Sequence, residues 1–444
     1  MGGIPTMQSG IQVSLDIGTT SVKVIVAEFV NSELNVIGVG NAKSEGISRG
    51  VIVDIDQAAQ SIKKAVNQAE EKSGVTIHEV IVGIPANGLE IEPCHGMVGV
   101  SNAGNEITNK DIQEVVETAM IKSVPPEKDI LAILPQEFIV DGFDGISDPR
   151  GMIGVRLEMH ALLLSSPKTI LHNIRKCVDK AGYHIKELIL QPLAIGSVAL
   201  SAGERNFGTI LVDLGGGQTT VSIFHDHQLK FSYVNQEGGE YMSKDISVVF
   251  NTAPENAERL KREYGYALVD ATSEENHFPV EVIGQSNAVR VSESHLAEVL
   301  EARLVQIFEK IDDELGAIDA YKLPGGIIIT GGASSLPGTT QLAKEVFGIN
   351  VKMYIPEHMG IRYPSFATGI GLIEYVSRQS EIDRLISHVL KGYDAETASP
   401  LPQSTPDNIA IEQIQTKKVN KKQAGTKENG TFKKFLDQIT SFFE

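Results

Sequence analysis

A chain of 444 residues with 41% apolar and 22% charged residues has enough material for several folded domain units and is not a disordered protein. Its net charge of −18 argues against general nucleic-acid binding, no apolar run approaches a membrane span, and no secretory signal peptide is evident. Its two cysteines, Cys94 and Cys177, fit neither a zinc pattern nor a disulfide framework and read as buried free thiols in a reducing cytoplasm.

The first eighty-odd residues alternate strand and turn signals. "IQVSLDIG", "SVKVIVAEFV" and "ELNVIGVGNAKS" are rich in Val and Ile and broken by Gly, Asn and Ser. "DQAAQSIKKAVNQAEEKSG" carries helical apolar spacing, with Gly74 as its stop. "EVIVGIP" reads as a buried strand. From 85 to about 164 the strands shorten, a helix is expected near 109–122, and Pro and Gly punctuate the run, which suggests a small inserted α+β subdomain. A helix at 167–182, the strand "IKELIL" and a helix from Gln191 follow.

A second unit opens at Thr209 on the plan of the first. "VSLDIGTTSVKVIV" (13–26) and "ILVDLGGGQTTVSIF" (210–224) share an apolar strand, an Asp, a Gly-rich turn with hydroxyls and a returning apolar strand. The repeat predicts a duplicated fold. Such turns expose adjacent backbone N–H groups that can hold a phosphate. Here they comprise Gly18, Thr19 and Thr20, and Gly215, Gly216, Gly217, Gln218 and Thr219. Asp16 and Asp213 end the incoming strands, where a carboxylate can hold Mg²⁺ through water. Either hairpin alone could be an ordinary Gly turn. Together they could clasp a triphosphate from both sides. A third motif, "GGIIITGGASSLPG" (325–338), places Gly331 and Gly332 where a backbone can approach a base or an α-phosphate.

These motifs resemble the actin-like ATPase superfamily. Its two phosphate loops look like "LDIGTTSVK" and "VDLGGGQTT", and its two connecting helices like "QPLAIGSVAL" (191–200) and "FATGIGLIEY" (366–375). Its adenosine loop looks like "GGASSLPG", which holds Gly331, Gly332 and Ser335. All five occur in the superfamily's order over residues 11–378. The resemblance implies an α/β chain with a duplicated actin-like (ribonuclease H-like) fold, two lobes around a nucleotide cleft, and ATP with Mg²⁺ as ligands. It implies that Gly238 and Gly239 precede the helix that closes over the nucleotide, and that Glu258 and Lys261 flank the nucleoside. Many relatives carry Lys where this chain has Ser21; Lys23 lies on the same strand face and can substitute. The superfamily orients a water from the position of Gln191. Glutamine is a poor base, so at most slow hydrolysis is expected, and the other reading of Gln191 is a helix cap before Pro192.

Within the superfamily the chain is similar to the FtsA family of bacterial cell-division proteins. The resemblance implies subdomain IA at 8–84 and 165–204, inserted subdomain IC at 85–164, IIA at 205–265 and 321–379, and IIB at 266–320. "HLAEVLEARLVQIFEKI" (295–311) resembles the family helix that receives the C-terminal peptide of FtsZ, with Arg303 at the key position.

A polar segment at 380–430 reads as a flexible linker. After it, 431–444 places Phe432, Phe435, Leu436, Ile439, Phe442 and Phe443 on one helical stripe. At ~1.5 Å per residue this helix is about 21 Å long, too short to span a ~30 Å core, so it is expected to lie on a membrane surface. Seven lysines against three acids after residue 416 favour an anionic membrane. The expected function is an ATP-binding protein that polymerises at the cytoplasmic side of the cell membrane at the division site. There it would tether FtsZ and meet other division proteins, as a peripheral protein that binds no nucleic acid. The rival readings are a pilus-assembly-type actin-like ATPase and a small-molecule kinase of the same superfamily.

Overall fold

The computed structural model describes residues 10–31, 33–101, 104–121 and 124–397, with side chains to 392. Strands β1 (Ile11–Ile17), β2 (Ser21–Val30) and β3 (Glu33–Lys43) form an antiparallel meander. A two-residue ladder, β4 (Ile47–Ser48) with β5 (Val51–Ile52), follows it. Helix α1 (Ile55–Ser73) starts because Asp54 accepts from the N–H groups of Asp56 and Gln57, and stops at Gly74, whose φ is 69°. Its buried face mixes Ile62 and Val66 with the small residues Ala58, Ala59, Ala65 and Ala69. That lets it approach β3 so closely that a Cβ on Gly40 would lie 1.8 Å from the Ala65 carbonyl oxygen. Strand β6 (Glu79–Ile84) joins β1 in parallel.

The chain then leaves this sheet. Strands β7 (Glu90–Gly99), β8 (Lys128–Val140), β9 (Phe143–Ile146) and β10 (Arg156–Pro167) build a separate antiparallel sheet in the order β7-β10-β8-β9. Helix α2 (Asn109–Met120) lies between β7 and β8 in sequence, and its Ile112, Val115 and Val116 meet Phe138, Leu157, Met159 and Leu163 in one core. Helix α3 (Lys168–Ala181), strand β11 (His184–Leu190) and helix α4 (Gln191–Ala199) return the chain to the first sheet. Its order is β11-β6-β1-β2-β3.

The second half repeats the arrangement. After the short helix α5 (Ala202–Phe207) come β12 (Thr209–Leu214), β13 (Thr219–His225) and β14 (Gln228–Asn235). Helices α6 (Gly239–Val249) and α7 (Pro254–Tyr264) lead to a small hairpin, β15 (His277–Val280) with β16 (Val289–Ser292), and to the long helix α8 (Glu293–Ala317). Strand β17 (Ile327–Thr330), helix α9 (Thr339–Phe347) and strand β18 (Val351–Met353) complete a sheet of order β18-β17-β12-β13-β14. The two five-stranded sheets therefore have the same order. Helix α10 (Ala367–Arg378) crosses α4 at close range: a Cβ on Gly371 would sit 2.3 Å from the Ala194 carbonyl oxygen.

One expectation is corrected here. The linker does not begin at 380, because α11 (Glu381–Thr397) does. Ser380 and Asp383 exchange capping hydrogen bonds, with Ser380 N–H to Asp383 at 2.9 Å and Asp383 N–H to Ser380 Oγ at 3.1 Å. Ile382 and Ile386 are buried in the core of the inserted sheet, with Leu385, Val389 and Leu390 against it. The remainder of the expected linker, and the expected terminal helix with Phe432, Phe435, Leu436, Ile439, Phe442 and Phe443, lie outside the described residues. Among the described residues no helix is long and apolar enough to cross a membrane. Cys94 and Cys177 are buried and form no disulfide.

Candidate nucleotide site

The two Gly turns have one geometry. Gly18 N–H donates to Ser21 O at 3.2 Å, and Gly215 N–H donates to Gln218 O at 3.0 Å. A Cβ on either glycine would lie 2.8 Å from that same oxygen, so only glycine fits. The turns also meet tip to tip. A Cβ on Gly216 would be 2.4 Å from Thr20 Cγ2, and one on Gly217 would be 2.5 Å from Thr19 Cγ2. Gly18, Thr19, Thr20 and Gly215 to Thr219 thus share one place, at the facing ends of the two sheets.

Beneath the tips lie the two aspartates. Lys23 pairs with Asp16 across the β1–β2 ladder, and its Nζ lies 3.5 Å from Asp16 Oδ2. Gln191, at the start of α4, donates from Nε2 to Asp16 Oδ1 at 3.1 Å. Burial raises the Asp16 carboxyl, and Lys23 and Gln191 offset part of that rise. Among the described residues Asp213 has no such donor. Burial and then the charge of Asp16 push it up to about 7, with Lys23 acting the other way. Two desolvated carboxylates side by side form a hard-oxygen donor set, which suits Mg²⁺ held through water. Gly331 has φ 96°, and a Cβ there would lie 2.3 Å from Asp213 Oδ1, so the third Gly motif closes this floor.

Gln191 is not the cap of α4, since Leu190 takes that position. Gln191 instead lines a cavity of about 10 Å³ together with Asp213, Thr220 and Ser222. That volume is roughly what one water occupies.

Gly238 and Gly239 sit against the second turn. Gly239 N–H donates to Gly215 O at 3.0 Å and Glu240 N–H to Gly216 O at 2.8 Å. A Cβ on Gly239 would come 3.1 Å from the Ala333 side chain, which brings the Gly332–Ser335 turn to the same place. Within that turn it is Ser334 that is buried and donates to Gly331 O at 2.7 Å, while Ser335 is exposed. Glu258 and Lys261 do share a face of α7, and they are paired with each other at 2.6 Å. Lys261 also donates to Gly239 O at 2.8 Å, so this pair borders the glycines. Burial pushes the Glu258 carboxyl up, but Lys261, Ser243 and Arg262 outweigh it and hold the group below its ordinary value. Burial also lowers Lys261, with Glu258 acting the other way.

Sequence reasoning missed the β4–β5 turn. Gly50 N–H donates to Thr19 Oγ1 at 2.9 Å, and a Cβ on Gly50 would lie 2.3 Å from Gln218 Oε1. That Gln218 oxygen is buried and has no hydrogen-bond partner among the described residues, a polar atom in the turn region. Arg49 reaches across to Gln236 Oε1 at 3.3 Å. Two-residue strands give no periodic signal, and only "SRG" hints at a turn. Arg303 is not at this site. It lies on α8, paired with Asp245 and Glu237.

Comparison with known proteins agrees with this architecture. A family model described as cell division protein FtsA matches residues 210–371, and one described as the SHS2 domain inserted in FtsA matches residues 86–165. The cell division protein FtsA of Enterococcus faecalis is 51% identical over 97% of this chain and 99% of its own length. The chain belongs to the FtsA family.

FtsA of Bacillus subtilis is 44% identical, with 84% of each chain covered. Among solved structures, the chain is similar to one in the PilM–PilN type IV pilus biogenesis complex, with a TM-score of 0.58 and 16% identity over 83% of this chain and 98% of that one. At that identity the likeness speaks for the fold alone. The fold is the duplicated actin-like one, and the inserted sheet is the part that the SHS2 family model matches.

Proposed function

We propose that this FtsA-family chain binds ATP with Mg²⁺ between its two Gly turns, polymerises at the cytoplasmic face of the membrane and tethers FtsZ there. The observation that carries the nucleotide reading is the tip-to-tip meeting of the turns over Asp16 and Asp213. The N–H groups of Gly216 and Gly217 and the hydroxyls of Thr19 and Thr20 would bind the phosphates, while Gly18 and Thr219, whose own donors are taken by Ser21 O and Glu237 O, would hold the shape of the two turns. Asp16 and Asp213 would hold Mg²⁺, which supplies charge neutralisation on the phosphate oxygens. Gly331, Gly332 and Ser335, with Glu258 and Lys261, would border the nucleoside.

Gln191 would orient a water from the shared cavity. An amide cannot take the proton, so turnover is slow. Arg303 would receive the C-terminal peptide of FtsZ, and residues 431–444 would supply the membrane contact. The nucleotide reading is tested by Gly216→Val in the full chain. The new side chain collides with Thr20, so binding of a fluorescent ATP analogue with Mg²⁺ should fall at least about tenfold, alongside a lowered melting temperature, in a chain that circular dichroism shows to be folded. Parental affinity in a folded variant would overturn the site.

A further inference from the structure

The cations of α8 are already occupied by acids of the same chain. Arg303 donates from Nε and Nη2 to the two oxygens of Asp245, at 2.5 and 2.9 Å. Its Nη1 reaches Glu237 Oε2 at 3.4 Å. Lys310, two helical turns further along α8, donates to the other Glu237 oxygen at 2.6 Å. The guanidinium also lies 5.5 Å over the Tyr241 ring and is only 18% exposed.

Those acids belong to the segment that covers the second phosphate turn. The Glu237 carbonyl accepts from Thr219 Oγ1 at 2.8 Å. The next two residues that bond the turn, Gly239 and Glu240, donate to Gly215 O and Gly216 O at 3.0 and 2.8 Å. There is no slack in this packing, because a Cβ on Gly238 would lie 2.5 Å from Gly215 O. Asp245 sits on α6, the helix that begins at Gly239. Glu237 therefore has its main chain in the nucleotide turn and its side chain on α8.

We propose that Glu237, with Asp245, is a built-in competitor at Arg303 and Lys310, and that it couples the binding of carboxylates on α8 to the hold of the Gly215–Thr219 turn on nucleotide. The proposal rests on the nucleotide and peptide readings above. Incoming carboxylates that engage Arg303 and Lys310 together must compete with Asp245 for the guanidinium and displace Glu237 from between the two cations. Once displaced, the segment 237–240 loses its side-chain tether and the turn beneath it loosens. Conversely, a nucleotide that orders the turn holds Glu237 on α8. Linkage requires the two effects to be equal factors.

The test uses the full chain, a fluorescent ATP analogue with Mg²⁺, and two probes in parallel: an aspartate-rich synthetic peptide and the FtsZ C-terminal peptide. In the parent chain, saturating peptide should lower analogue affinity roughly fivefold, and saturating nucleotide should lower peptide affinity by the same factor. Glu237→Gln keeps the shape and removes the charge. It should bind peptide roughly fivefold more tightly, bind nucleotide severalfold more weakly, and show no effect of one ligand on the other. Lys310→Gln should weaken nucleotide to the same degree, and the double variant no further than either single. A purely structural Glu237 would lower the melting temperature and leave the coupling intact. Parental nucleotide affinity in Glu237→Gln, or additive losses in the double variant, would overturn the proposal. If neither peptide binds the parent chain, the reading of α8 as a peptide surface fails on its own, and the nucleotide cycle between Glu237 and Lys310 still decides the coupling.

Discussion

Burial and the neighbouring charge of Asp16 hold Asp213 protonated up to about pH 7, whereas an unfolded chain would ionise it near 3.8. Between those values the folded state binds the extra proton, so this group's stabilisation is full below about pH 4 and is lost as pH rises through about 7. Ionised Asp213 is what a Mg²⁺ site needs and what the metal-free fold resists. Asp213→Asn should therefore melt higher than the parent in metal-free buffer. The gap should open between about pH 4 and 7 and level off above, while Mg²⁺-dependent nucleotide binding is lost. A gap that does not depend on pH would show that the carboxyl is not held up. Gly331 makes a matching case. Its φ of 96° and the 2.3 Å clearance to Asp213 Oδ1 predict that Gly331→Ala costs about 1–3 kcal/mol, read by chemical denaturation. At this scale the sequence shows the residues that end strands or make turns, because an Asp or Gly at such a place has a local reason. It does not show Arg49 with Gln236, or Arg303 with Asp245, which meet across 187 and 58 positions of chain.

Elements are legible where their pattern is pure. The strand before the second turn is nearly continuous Ile, Leu and Val, and the one before the first turn alternates Ile, Val and Leu with Gln12, Ser14 and Asp16, so strands follow directly from both patterns. Helix α1 has a cap, a stripe and a glycine stop, and appears where expected. Helix α11 is harder to see because it lies in a stretch whose average composition is polar. Yet Ile382, Leu385, Ile386, Val389 and Leu390 follow i, i+3, i+4, i+7 and i+8, a helical stripe. Its apolar face is completed by another element's core, which only the tertiary structure supplies. Ile386 is about 1% exposed there. Ile386→Ala should destabilise the chain by roughly 2–5 kcal/mol, and Ile386→Asp by more. Denaturant unfolding followed by a probe in the inserted sheet measures this, and a change under about 0.5 kcal/mol would mean α11 only rests on the surface.

For the whole molecule, the repeated hairpin was enough to expect two like halves, and the equal strand orders β11-β6-β1-β2-β3 and β18-β17-β12-β13-β14 show them. The insertion was legible as a change of texture, since short strands with Pro and Gly interrupt a run of buried ones. How the proposed membrane, FtsZ and nucleotide contacts would act together was not, because it depends on assembly rather than on one chain. Residues 431–444 carry six apolar side chains at helical spacing, which as a helix would measure about 21 Å, and seven lysines lie within or before this stretch in the last 28 residues. An amphipathic helix of this size binds a surface reversibly, helped by anionic lipid. Many copies on one filament would bind far more tightly through effective concentration, by factors of about 10²–10⁴. Sedimentation with anionic vesicles should then rise steeply with protein concentration in the presence of Mg²⁺ and ATP, and weakly without nucleotide. Removing 431–444 should abolish it while leaving ATP-analogue affinity unchanged. A truncated chain that still pellets with vesicles would place the membrane contact elsewhere. A full-length chain whose pelleting is linear in concentration and indifferent to nucleotide would separate attachment from assembly.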